Sequence, residues 1–141
     1  MDLWAALRAV VRWLLAALLL VAGVGHFTNH EAFLAQTPSF LPAQSLIVWA
    51  SGVVEVALGL ALVAWRSRRR EVGWAVAAFF VLIFPGNLYQ AAAGHDAFGL
   101  DSDAARLTRL AFQPLLVLAA LWSTRAWPRA RRDAAAGRDR A

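Results

Sequence analysis

Four long apolar segments separated by short polar stretches dominate the chain. The clearest is 46–65, which as a helix is long enough to cross a hydrocarbon layer ~30 Å thick. Apolar segments of span length recur at 10–28, 72–93 and 107–124. The pattern predicts an all-α fold, an integral membrane four-helix antiparallel bundle within residues 1–125. A basic, disordered cytoplasmic tail is expected over 126–141.

The second apolar segment carries one ionisable group near its middle, Glu55. A carboxylate that faced lipid would cost several kcal/mol, so this side chain is expected to face protein and to have a polar partner. Helical spacing places it on a stripe with small residues, which favours close packing against another helix. The stripe consists of Gly52, Glu55, Gly59 and Leu62. In the first segment, a similar face contains Ala16, Gly23, His26 and His30.

Proline, amide and hydroxyl residues mark the places where the predicted helices bend or begin. Pro85 and Pro114 lie inside the third and fourth segments, where each removes a helical hydrogen bond and favours a kink. Asn29 is a candidate N-cap for a short helical turn, and Ser102 or Asp103 for the last helix. The stretch 28–45 contains apolar side chains that suit either a lid folded over the bundle or an anchor at the bilayer surface. These are Phe33, Phe40 and Leu41.

Each of the four helices contributes at least one polar side chain to the half of the bundle predicted to lie outside. Taken singly, each has a structural explanation: amides join helices, and Glu55 with Arg109 could form a buried bridge. Taken together, they predict a pocket for a small amphipathic ligand, because ionisable groups inside a membrane are costly. Glu55 is the candidate catalytic residue, for proton handling. The candidate ligand-binding residues are His26, Asn87, Gln90, Arg109 and Gln113.

Charge orients the bundle. The 14 basic residues are all arginines, and only Arg106 and Arg109 fall on the side opposite to the others. By the positive-inside rule, the protein is a multi-pass protein of the inner (plasma) membrane with both termini cytoplasmic. The formal charge of +5 is therefore no indication of nucleic-acid binding, since these arginines would meet lipid headgroups. Most of the seven tryptophans fall near the same predicted boundary.

Several kinds of chemistry are not expected. The chain has no cysteine, which excludes thiol–disulfide chemistry of its own and thiolate-held iron–sulfur clusters. A zinc-type site could be drawn from His26, His30 and Glu31 with His95 and Asp96, but such spacing is frequent by chance. The histidines all fall on one side of the bundle, so haem is not expected either, and no metal site is predicted. There is no phosphate-binding loop or nucleophile elbow.

Four motifs in order resemble a known family. They are GVGHFTNHEAFLAQTPSFLP, SGVVEVALGLAL, FPGNLYQA and RLAFQP. Together they resemble the DoxX-like small four-helix membrane proteins, with their G-x-x-H-F pattern, mid-membrane Glu after Gly, P-A-N-like turn and R-x-x-x-Q start to helix four. Gly86 stands where alanine is usual. By this resemblance, the motif positions of the family correspond here to His26, Phe27, Glu55, Pro85, Asn87, Arg109 and Gln113.

The resemblance implies a subunit of a quinone-linked membrane oxidoreductase, with quinone as the expected ligand and a soluble or membrane-bound redox partner. In this hypothesis Arg109 and Gln113 hold the ligand oxygens and orient Glu55, and His26 connects the pocket to the outer surface. The alternative is a non-enzymatic assembly or accessory protein, chaperone-like, in which the same residues hold the bundle together. A small transporter is a third hypothesis, and four helices would then have to assemble as a homo-oligomer to enclose a path.

Overall fold

The computed structural model describes residues 2–94 and 102–127, and within these ranges the regular structure is helical throughout. The predictions that concern His95, Asp96 and the tail beyond residue 127 fall outside the described residues. The helices are α1 (Leu3–Thr28), α2 (His30–Leu34), α3 (Gln44–Ala64), α4 (Arg69–Ala93) and α5 (Asp103–Ser123), with a 3-10 turn over Arg66–Arg68 between α3 and α4.

Four of these helices, as far as the described residues go, are long and apolar enough to cross a membrane: α1, α3, α4 with its preceding turn, and α5. The predicted spans are therefore confirmed as helices. α1 begins at Leu3 with Asp2 as its N-cap, and α5 begins at Asp103 with Ser102 as its N-cap, as predicted, so both helices start before the apolar spans. The side chain of Asp2 accepts from the backbone N–H of Trp4, and that of Ser102 accepts from Ala105. Many large apolar side chains on these helices are exposed, as in a multi-pass membrane protein.

The four long helices form a bundle in which α1 packs closely on α3 and α4 on α5. An apolar core fills one half of the bundle, built from the middle of α1, the first half of α4 and the last turns of α3 and α5. Leu19, Val76 and Ala120 in this core are at most 1% exposed. Most of the buried polar side chains occupy the other half, which carries α2 and is called the α2 end below; Ser123 and Thr124, at the end of α5, are buried in the first half.

Small residues set the distance between α1 and α3. The predicted stripe on α3 is buried along its whole length, as are Ala16, Gly23 and His26 on α1. A Cβ on Gly23 would lie 2.9 Å from the carbonyl oxygen of Gly52, and one on Gly59 would lie 3.1 Å from that of Ala16. The backbones can approach this closely only because these positions lack side chains, and the approach brings His26 next to Glu55.

The segment after α1 turns back over the bundle. Asn29 is the N-cap residue of α2, as predicted, although its side chain makes no capping hydrogen bond. The amide of Gln44, at the start of α3, donates to the carbonyl oxygens of Thr37 and Pro38 at 3.2 and 2.9 Å. Pro38 is buried, whereas Phe40 is 79% exposed. The segment therefore covers the bundle with one face and presents Phe40 outward.

Candidate ligand-binding pocket

A cavity of about 770 Å³ lies at the α2 end, walled by all four long helices and by the segment after α2. Its volume is in the range of small-molecule sites. Five of the six predicted site residues line it: His26, Glu55, Asn87, Arg109 and Gln113. The remaining wall is mainly apolar, with Phe79, Phe80 and Ile83 of α4 among its members.

His26 and Glu55 form an ion pair inside the bundle. The imidazole Nδ1 lies 3.1 Å from Glu55 Oε2 and 2.9 Å from the carbonyl oxygen of Ala22. Since a carbonyl oxygen can only accept, Nδ1 carries the proton and donates it to Ala22. Glu55 Oε2 is buried, and within the described residues no donor is aligned on it, so its contact with the imidazole is electrostatic. The carboxyl group is thus placed at the cavity with one oxygen still able to accept a hydrogen bond.

Arg109 is held by two neutral amides. Its guanidinium donates to Gln90 Oε1 at 2.8 Å and to Gln36 Oε1 at 2.6 Å. The carboxylate of Glu55 is also near enough to interact with it electrostatically. A planar guanidinium fork spans two acceptors in fixed directions, so Arg109 links α4 to the segment after α2 while remaining on the cavity wall.

A second set of hydrogen bonds joins α4 to α5. Asn87 Nδ2 donates to Gln113 Oε1 at 2.7 Å, and Gln113 Nε2 donates to the carbonyl oxygen of Phe80 at 2.7 Å. α4 continues through Pro85. The sequence predicts that Pro85, which has no N–H, leaves the carbonyl oxygen of Val81 without its helical donor. In the structure, Gln113 Nε2 donates instead to the carbonyl oxygen of the residue before it, Phe80. Gln113 therefore stabilises the turn before the proline.

Sequence reasoning missed two residues of the site, Gln36 and Phe33. Gln36 is 7% exposed and is the partner of Arg109, while Phe33 stacks on the His26 ring with centroids 3.7 Å apart. Both belong to the segment interpreted as a lid or an anchor, and nothing in its pattern indicates which polar side chain turns inward. Gln90, predicted as a ligand-binding residue, is 1% exposed and lies outside the cavity wall. Its contact with Arg109 gives it a positioning role.

The cavity opens on the lateral surface of the bundle. Its wall includes Leu18 of α1, Leu82 of α4 and Phe112 of α5, whose side chains are 44, 75 and 56% exposed. Side chains at this level of a membrane-spanning helix meet acyl chains. An amphipathic molecule could therefore reach the polar wall from the bilayer with its apolar part left between the helices.

The histidines do not form a metal site in the described part of the chain, which contains no group of three or more metal-ligating side chains of the His, Cys, Asp and Glu types. His30 turns away from His26: its Nε2 lies 3.2 Å from the hydroxyl of Ser45, and its ring lies beside Trp49. The i, i+4 spacing of His26 and His30 is interrupted because α1 ends at Thr28 and α2 starts at His30.

The fold and the site together indicate the class of multi-pass helical membrane proteins, with a mainly apolar cavity that several buried polar side chains line. Residues 15–125 match the family described as a domain of unknown function, DUF8561, and the chain belongs to that family. No curated protein and no solved structure matches the chain.

Proposed function

We propose that the protein binds a small amphipathic molecule in the cavity at the α2 end, and that this molecule is a quinone whose headgroup meets Glu55 and Arg109. The observation that carries the proposal is the buried carboxyl group of Glu55, which lines the cavity with Oε2 beside the His26 imidazole but without an aligned donor. A structural helix has no need of such a group, and a ligand hydroxyl would supply the missing hydrogen bond.

The chemistry of the wall suits a quinone and quinol pair. Reduction of a quinone adds two electrons and two protons to its two oxygens. A carboxyl group in contact with an imidazole can pass protons, whereas the arginine can hold the second oxygen. The chain offers no cysteine ligands for an electron carrier, so a redox partner would supply the electrons. The lateral opening described above suits an apolar tail.

We also propose that the protein is related to the DoxX-like family and that its helices have the orientation predicted from its charges. The motifs that resemble the DoxX-like pattern contribute Glu55, Asn87, Arg109 and Gln113, and these fall around one cavity and its hydrogen-bonded wall. We place the protein in the inner membrane as an antiparallel bundle with both termini cytoplasmic, on the distribution of its arginines. The α2 end would then face outward, and His26 under Phe33 would be the connection between the cavity and that side.

The test is quinone binding by the purified protein in lipid nanodiscs. A quinone with a short isoprenoid tail should quench tryptophan fluorescence saturably and raise the melting temperature. Glu55→Gln removes the acceptor charge at nearly constant volume and should weaken binding about tenfold or more. Glu71→Gln is the matched control, since Glu71 is exposed in the first turn of α4 outside the cavity wall.

Two results would overturn this function: absence of a saturable response in the unsubstituted protein, or equal affinity of the protein and its Glu55→Gln variant. A tailless quinone separates the two parts of the site. It should bind more weakly than the tailed form, because the apolar wall between Leu18 and Phe112 then loses its contacts.

A non-enzymatic assembly or accessory role is the second candidate. It is favoured by the hydrogen bonds that Arg109, Gln113 and Asn87 make to protein groups, which satisfy these side chains without a ligand. In that case Glu55→Ala should lower the yield and melting temperature, with no quinone-dependent stabilisation to lose.

A further inference from the structure

Three arginines from three different elements lie at the end of the bundle opposite α2. Arg66 follows the end of α3, Arg69 is the first residue of α4, and Arg12 lies on α1 one turn before Ala16. Because Ala16 packs directly against Gly59 of α3, α1 and α3 are still in close contact at this level. Arg12, Arg66 and Arg69 are called the arginine cluster below.

The charges of the arginine cluster repel one another. The positive charges of Arg66 and Arg69 both act on Arg12, which is partly buried. Arg69 is partly buried too, and its Nε is buried without a hydrogen-bond partner within the described residues. Within residues 2–94 and 102–127, the contacts between acidic and basic side chains, His26 with Glu55 and Arg106 with Asp103, lie at the α2 end. Like charges are unfavourable here unless an anion neutralises them, because two of the three, Arg12 and Arg69, are partly buried.

We propose that Arg12, Arg66 and Arg69 form a binding site for a phosphate group, carried either by the headgroup of an anionic phospholipid or by free phosphate. Guanidinium groups bind phosphate oxygens through charge-assisted, directed hydrogen bonds, and an Nε without a protein partner is available for one. Trp13 and Trp65 adjoin Arg12 and Arg66 in the chain and are 58 and 52% exposed. Exposed indoles at the ends of spanning helices mark the headgroup level of a bilayer, where a phospholipid would present its phosphate.

The site can be tested with two probes on the purified full chain in a zwitterionic detergent. Phosphatidylglycerol is titrated in one arm and inorganic phosphate in the other, and native mass spectrometry with the melting temperature reports binding. The double variant Arg12→Gln/Arg69→Gln should weaken binding about twenty-five-fold, since the loss of one hydrogen bond to the phosphate costs roughly a fivefold factor at each position.

The matched control is Arg68→Gln/Arg70→Gln, which removes the same amount of charge from the two residues that flank Arg69. Both side chains are exposed, and neither is among the charges that act on Arg12. The control should keep most of the affinity. A response to phosphatidylglycerol alone supports the site with a lipid headgroup as its source, and a response to inorganic phosphate as well supports it with free phosphate as a second source. No response to either probe, or equal losses in the two double variants, would overturn the site.

Folding of the test variant is checked in the absence of anions. Removing two mutually repelling charges should leave the melting temperature unchanged or raise it. If the double variant is not recovered, the single variants Arg12→Gln and Arg69→Gln are compared with Arg70→Gln. Each should lose about fivefold in affinity for phosphatidylglycerol through one lost hydrogen bond, against little change in Arg70→Gln, and equal values in all three would contradict the site.

Discussion

Gly52 of α3 is in direct contact with His26 of α1: a Cβ on Gly52 would lie 2.7 Å from the Cβ of His26. The same Cβ would lie 2.9 Å from the carbonyl oxygen of Gly23, which is backbone and has no room to move aside. This contact sets the distance between the helices that carry the imidazole and the carboxyl group of the site. The position of Glu55 relative to His26 therefore depends on a residue with no side chain.

Replacing Gly52 with alanine should separate α1 from α3 and destabilise the protein. Overpacking of this kind costs about 1–3 kcal/mol, which should appear as a lower melting temperature in detergent. Gly86→Ala is the control. A Cβ there would lie 3.4 Å from the carbonyl oxygen of Gln36, an ordinary contact, and alanine favours the helix. Equal stability of the Gly52→Ala and Gly86→Ala variants would contradict the packing described above.

Replacing His26 with leucine should leave the buried carboxyl group of Glu55 without its ion-pair partner. Breaking a buried pair from one side costs about 3–5 kcal/mol, so a large loss of stability is expected in thermal or denaturant unfolding. Adding Glu55→Gln to this variant should restore much of the loss, because the amide carries no charge to be left unpaired. A His26→Leu variant that the second substitution fails to rescue would show that the contact contributes little.

The amide pair of Asn87 and Gln113 should be energetically coupled. A double-mutant cycle with alanine at both positions isolates the interaction, and hydrogen bonds between membrane helices measured this way are worth about 0.6 kcal/mol, up to about 1.7. The buried bond of 2.7 Å places this pair in the upper part of that range. Asn29→Ala combined with Gln113→Ala is the control cycle, since Asn29 is exposed at the start of α2 and should give a coupling near zero.

Gln36→Ala should loosen the segment that covers the cavity. The variant loses the 2.6 Å bond from Arg109, so hydrogen–deuterium exchange over residues 30–42 should speed up several-fold, while exchange in the middle of α3 stays unchanged. Glu31→Gln, at an exposed carboxyl group in the same segment, should leave both rates unchanged. Unaltered exchange in Gln36→Ala would show that Arg109 does not hold the segment.

The proposed topology can be tested with single cysteines, because the chain contains none. Ser39 after α2 and Ser67 in the 3-10 turn are both exposed and lie at opposite ends of α3. With both termini cytoplasmic, a membrane-impermeant maleimide added to intact cells should label Ser39→Cys and leave Ser67→Cys unlabelled until the membrane is opened. The reverse labelling pattern would contradict the proposed orientation.

Hydrophobic pattern and helical spacing were sufficient for the helices and for much of the site. An apolar segment of span length has one favourable conformation in a bilayer, since the backbone must satisfy its own hydrogen bonds, and this explains why α1, α3, α4 and α5 were predicted. The i, i+3, i+7 stripe on α3 was buried as expected, because small residues and a costly carboxyl group are both most stable against a neighbouring helix.

Partners within the site were decided by the tertiary structure. The sequence placed Glu55 and Arg109 near each other, yet the ion pair of Glu55 is with His26, and Arg109 donates to the amides of Gln90 and Gln36. The sequence by itself determined which residues are too polar to face lipid. Which of them meet, and that Gln36 joins them, depends on how closely α1 approaches α3 and where the segment after α2 turns back. Those distances arise from contacts between residues far apart in the chain, and no local pattern encodes them.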